Sequence, residues 1–133
     1  MKDVLMISYS IGGGVAGLRS KALINFLNKK GVNVKPISCN SKLLNWYIKI
    51  FLSIVFGKEK IVYFSCGPFI YSIFFIILAK ILLKEVIVDF RDPWSLNILN
   101  NYGKLGDINK IKYTIVVFLE KIIYFLSNKF IVC

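Results

Sequence analysis

Two short stretches of this 133-residue chain hold residue types that could do chemistry. The first is Gly12-Gly13-Gly14-Val15-Ala16-Gly17, which fits G-x-G-x-x-G. Glycines at that spacing let a backbone approach a phosphate. A helix opening there presents N–H groups and a partial positive charge to an anion. The second is Asp89-Phe90-Arg91-Asp92-Pro93-Trp94, where two carboxylates flank one of only two arginines in the chain. A carboxylate held by an arginine can orient sugar hydroxyls, and Trp94 can stack on a sugar or a lipid. Each stretch also has a plainer reading. The glycines can serve a tight turn alone, and an Arg91–Asp pair can simply fix the bend after a strand.

Several chemistries are excluded. There is no histidine, which removes Ser-His-Asp and Cys-His catalysis and most zinc sites from this chain. Dinucleotide binding needs an acid about 20 residues beyond the glycines to hold a ribose. Between Val4 and Lys58 there is no Asp or Glu at all. What remains of that motif is a general phosphate or anion site, or the turn. Three cysteines without a C-x-x-C spacing fit free thiols in a reducing compartment better than a disulfide framework. The start lacks the apolar length and the cleavage site of a signal peptide, so a cytoplasmic location is expected.

The net charge of +11 comes almost wholly from lysine. Nucleic-acid readers rely on arginine, so no nucleic-acid partner is expected. Lysines scattered among apolar and aromatic residues suit an anionic membrane surface, or a biased composition with ordinary solvated lysines.

The elements that must position the two stretches follow from periodicity. Residues 4–8 read as a buried strand. Residues 18–30 read as a helix with Leu18, Ala22, Leu23, Phe26 and Leu27 on one face and Arg19, Lys21, Asn25 and Asn28 opposite. Gly31 suits a left-handed cap. Residues 32–37 form a second strand, placed at a sheet edge by Pro36. Ser41 is positioned to cap a helix over 43–56. A third strand over 60–65, an apolar helix within 69–83 and a fourth strand over 85–90 follow. Residues 91–94 make a turn and 97–107 a loop. A helix over 109–126 then leads to a fifth strand over 129–133.

This alternation predicts an α/β fold, a Rossmann-like open parallel sheet with flanking helices, in one domain over 1–133. Crossovers should be right-handed. The Asp89–Trp94 stretch then lies at the carboxyl end of strand four, where open α/β sheets bind ligands. A parallel strand at the end of the chain points to a fragment of a longer protein. Residues 61–79 carry no charge, so a membrane span is the competing reading. Gly67-Pro68 in the middle favours strand plus buried helix. Trp46, Tyr47, Lys42 and Lys49 suit either a helix lying on a bilayer or a helix packed on the sheet.

Val-Ile-Val-Asp-Phe-Arg-Asp-Pro-Trp (86–94) resembles the strand-and-turn segment in the N-terminal domain of family 4 glycosyltransferases. These are GT-B fold enzymes of capsule, lipopolysaccharide and exopolysaccharide synthesis. Gly-Gly-Val-Ala-Gly-Leu-Arg (13–19) is similar to their first turn and helix. Ile-Val-Tyr-Phe-Ser-Cys-Gly-Pro-Phe (61–69) and Glu120 in the last helix also fit. The resemblance implies the acceptor-side half of a two-domain enzyme, with the C-terminal domain missing and the fragment alone inactive. It implies transfer of a sugar from a nucleotide-sugar to a lipid-linked or other membrane-associated acceptor, with no cofactor and no metal. The protein would be peripheral at the inner face of the plasma membrane. Gly12, Gly13 and Gly14 map to the donor phosphates. Arg19, Asp89, Arg91 and Trp94 map to the acceptor cleft, and Asp92 to the catalytic position. The chain departs from the family in lacking the histidine many members carry near Arg91-Asp92. Two other classes stay open: a small membrane protein anchored through 61–83, and a non-catalytic phosphate-binding subunit.

Overall fold

The computed structural model describes residues 2–39, 42–66, 72–90, 95 and 107–132. Strands β1 (Asp3–Ser8), β2 (Asn33–Ile37), β3 (Ile61–Cys66), β4 (Glu85–Phe90) and β5 (Lys129–Val132) alternate with helices α1 (Gly14–Lys29), α2 (Leu43–Phe56), α3 (Ser72–Ile81) and α4 (Asp107–Leu126). The strands form one parallel sheet in the order β2-β1-β3-β4-β5. This is an α/β, Rossmann-like arrangement. From β1 the chain moves outward to β2, and from β3 it moves the other way to β4 and β5. The gap between the carboxyl ends of β1 and β3 is therefore the topological switch point, where such sheets bind ligands.

Side chains alternate across each strand, so two cores form. Leu5, Ile7, Val62, Phe64, Val86 and Val88 meet Trp46, Ile50 and Ile54 of α2, Phe75 and Ile76 of α3, and Ile123 of α4. On the other face Val4, Met6, Val34 and Tyr63 meet Leu23, Ile24 and Leu27 of α1. Trp46 is 3% exposed and packs edge-on against Tyr9, so it belongs to the core and not to a lipid-facing surface.

The structure corrects the expected first helix in two ways. α1 starts at Gly14, four residues before the apolar periodicity begins. Its inner face is also rotated. Gly17 and Ser20 are buried, whereas Leu18 and Phe26 are more than half exposed. The cause is close approach. A Cβ on Gly17 would lie 2.9 Å from both the Gly12 nitrogen and the Ser10 Oγ. Small residues let the first turns settle onto the β1 loop, which turns Leu18 outward.

The described residues of the 61–83 segment belong to a strand, a short helix and the turn after it. The first six are the central strand β3, and α3 is ten residues long. Among the described residues, no helix is long and apolar enough to cross a membrane. Ser41, the expected cap of α2, lies outside the described residues. The N-cap is Lys42, with no side-chain cap bond.

Two helix ends share one geometry. After α1, Gly31 N–H donates to Asn28 O and Val32 N–H to Leu27 O. After α3, Leu83 N–H donates to Lys80 O and Lys84 N–H to Ala79 O. Both turns need a left-handed residue. Gly31 supplies it at φ +77°, but Leu83 occupies it at φ +57°.

β2 is an edge strand, as Pro36 predicts. Asn33 N–H points inward, to Lys2 O. By alternation the N–H groups of Val34 and position 36 point outward. Asn28 Oδ1 accepts the Val34 N–H at 3.3 Å, and Pro36 has none. Asn128 does comparable work ahead of β5. Its Oδ1 accepts from Val86 N–H at 2.9 Å and from Lys80 Nζ at 3.0 Å, and its N–H donates to Val86 O at 2.8 Å.

Candidate functional site

Strand register puts three polar residues in one row at the carboxyl end of the sheet. Ser8 of β1 pairs with Ser65 of β3, and Ser65 pairs with Asp89 of β4. All three are buried beneath the start of α1, beside the switch point. Ser20, fully buried on α1, closes the row from above, with its Oγ 3.2 Å from Ser8 Oγ. Each hydroxyl also has a local acceptor, Ala16 O at 3.1 Å for Ser20 and Ser10 O at 2.9 Å for Ser8. Since each has one proton, the link between α1 and β1 forms when one of them donates to the other instead.

Asp89 is the charged member. Its side chain is 2% exposed, while that of Arg19, whose Nη2 lies 3.7 Å from Asp89 Oδ1, is 46% exposed. Tyr63 Oη donates to Asp89 Oδ2 at 2.9 Å. The carboxylate is thus held by the phenol at hydrogen-bond distance, with a half-exposed guanidinium 3.7 Å from its other oxygen. A planar guanidinium in that position can serve an incoming anion while staying near Asp89.

The glycine loop lies next to this cluster. Gly12 takes φ +87° and Gly14 φ +61°, conformations that favour glycine. Gly12 N–H is committed to Gly17 O at 2.9 Å, and Gly17 N–H returns to Gly13 O at 3.1 Å. Gly12 therefore shapes the turn with its own N–H already used. No side chain caps α1 at Gly13, and its first turn holds no acid. The start of a 16-residue helix without a side-chain cap is an environment that favours an anion.

Of the residues singled out from sequence, the fold brings Gly12, Gly13, Gly14, Arg19 and Asp89 to one end of the sheet. Arg91, Asp92 and Trp94 lie outside the described residues. The structure adds Ser8, Ser20, Ser65 and Tyr63, which pattern reading missed. For the three serines a faint signal was present. Ser8 and Ser65 interrupt two apolar strands at matching carboxyl ends, and Gly17 with Ser20 sets small residues three apart on a helix. Glu120 is tied to Ser95, whose N–H and Oγ donate to it at 3.0 and 2.8 Å.

Comparison of the sequence with protein-family models and with curated proteins gives no match.

Proposed function

We propose that this chain is the acceptor-side Rossmann-like unit of a GT-B glycosyltransferase. It would move a sugar from a nucleotide-sugar to a membrane-associated acceptor in cell-envelope polysaccharide synthesis. The protein would work at the inner face of the plasma membrane. The observation that carries this reading is the buried Ser8–Ser65–Asp89 row with half-exposed Arg19 beside the glycine loop, all at the switch point. The segment that resembles the family includes Asp89 of that row.

In this reading the negative charge that develops on the leaving diphosphate meets the amide groups at the start of α1, after Gly12, together with Arg19. Asp89, locked by Tyr63, keeps Arg19 in place. Asp92 takes the catalytic position, and Arg91 and Trp94 border the acceptor. No metal enters the proposal.

The test is equilibrium titration of the purified protein with UDP-, GDP- and dTDP-sugars and with inorganic pyrophosphate. Nucleotide-sugars should bind weakly through their diphosphate, without selection among the three nucleotides. Arg19→Gln should weaken that binding about tenfold, the scale of one charge-assisted hydrogen bond. If no diphosphate-containing compound binds, the reading is wrong. If pyrophosphate binds and no nucleotide-sugar does, the phosphate-binding subunit takes its place.

A further inference from the structure

The helices on the two faces of the sheet differ in what they show to solvent. α3 lies between α2 and α4, so these three form one layer. Each buries one stripe on the sheet and leaves the opposite stripe apolar. Ile48 and Leu52 of α2, Phe74 and Ile77 of α3, and Ile111 and Phe118 of α4 are all 40% or more exposed. On the helix wheel, Ile48 and Leu52 lie opposite Ile50 and Ile54, so the layer's outer surface is itself hydrophobic. α1, across the sheet, separates its exposed Leu18 and Phe26 with Arg19, Lys21 and Asn25. Folded monomers rarely expose contiguous apolar area beyond roughly a few hundred Å² without a use for it.

Charge identifies the occupant. α2 and α3 contain no acid, and the layer carries Lys49, Lys80, Lys110, Lys112 and Lys121 against Asp107 and Glu120. Glu120 is engaged by Ser95. At one flank a groove of about 580 Å³ runs between α2 and the β2 edge. Ile48, Leu52 and Phe56 line it together with Lys35 and Lys49. An apolar wall with ammonium groups beside it matches the acyl chain and phosphate of an anionic phospholipid. A second copy fits worse, because a two-fold contact sets this lysine-bearing surface against itself.

We infer that the outer surface of the α2–α3–α4 layer docks on an anionic lipid bilayer, with aliphatic and Phe side chains in the interface and the lysines on phosphates. Trp46, buried in the core, has no part in it. The sheet would lie along the membrane with α1 facing away and the Ser8–Asp89 row opening sideways. This rests on the peripheral-membrane part of the function proposed above and not on its sugar chemistry. The titration with nucleotide-sugars contains no lipid, so the two fail separately.

The experiment is co-sedimentation of the full chain with vesicles of phosphatidylcholine alone and of phosphatidylcholine with phosphatidylglycerol. Binding should require the anionic lipid and weaken with salt. Ile48→Glu and Phe118→Glu should each reduce partitioning about tenfold, and Phe26→Glu on α1 should leave it unchanged. Lys49→Glu with Lys121→Glu gives a second route that spares the apolar surface and should reduce binding by at least as much. Circular dichroism melts establish that each variant is folded. Absence of vesicle binding, or equal loss in Phe26→Glu, overturns the inference. A dimer in solution that Ile48→Glu dissociates, without vesicle binding by the parent, assigns the surface to a second copy instead.

Discussion

The phenol of Tyr63 donates to Asp89 across 2.9 Å, from a strand position two residues before the one that pairs with Asp89. The bond therefore runs diagonally, from the apolar row of the sheet up to the polar one. It fixes the carboxylate that Arg19 approaches from the half-exposed side.

Because acceptor and donor are both buried, Tyr63→Phe should cost about 1.5–3 kcal/mol, the range for a hydrogen bond to a charged group. Asp89→Ala should cost at least as much, since it leaves the phenol without its carboxylate. Arg19→Gln, half in solvent, should change stability by less than about 1 kcal/mol. Urea unfolding of the three single variants and the Tyr63/Asp89 double variant checks this. Additive losses at Tyr63 and Asp89 would show that the pair is not coupled.

Gly17→Ala should destabilise by about 1–3 kcal/mol, as overpacking does, because the new Cβ meets the Gly12 nitrogen and the Ser10 hydroxyl. The damage should be local. Amide exchange should quicken at Gly12 and along the first turn of α1, while β4 and β5 keep their protection. Unchanged exchange at Gly12 would contradict the close-approach account of this turn.

The paired turns after α1 and α3 predict opposite responses. Leu83→Gly removes a left-handed leucine that is 94% exposed, so nothing is lost in packing. Net of the added freedom of the unfolded chain, it should stabilise by about 0.5–1 kcal/mol. Gly31→Leu introduces the same strain and should cost about 1 kcal/mol. Thermal melts of both variants decide the matter, and a lower midpoint for Leu83→Gly would refute it.

Lys84 supplies a pH dependence. Its ammonium donates to Gly57 O at 3.0 Å. Burial lowers its pKa below the usual 10.5, with nearby Glu59 opposing the shift and Lys35 adding to it. The folded chain thus releases this proton at lower pH than the unfolded chain. Between those two values the unfolded state holds more protons, so stability rises with pH through the window below 10.5. Lys84→Met should remove that rise. The stability difference between parent and variant, from denaturant titrations at several alkaline pH values, should grow in the parent's favour as pH increases.

The alternation of strands and helices was legible because the apolar runs have the period of their elements and most stop near Gly, Pro or Asn, although that of α3 ends on Leu83 and Lys84. α2 and β4 fall on the residues expected. α1 was misread because its inner face is built from Gly17 and Ser20. Their small size, which permits contact with the β1 loop, removes the hydrophobic signal that marks an inner face. At the candidate site, Arg19 and Asp89 stood out as rare charges in an apolar chain. Ser8, Ser65 and Tyr63 did not, because their role comes from strand register, which pairs residues more than twenty positions apart.

The two sides of the sheet are unequal in what they invite. Along β2, Asn28 already holds the outward Val34 amide, and Pro36 offers none. A strand arriving alongside Val34 and Pro36 finds carbonyls but no free donor, which disfavours extension of the β-ladder past β2. A blunted edge of this kind is less able to recruit a neighbour's unfolded segment into a growing aggregate. The edge left open to an added strand is the one along β5.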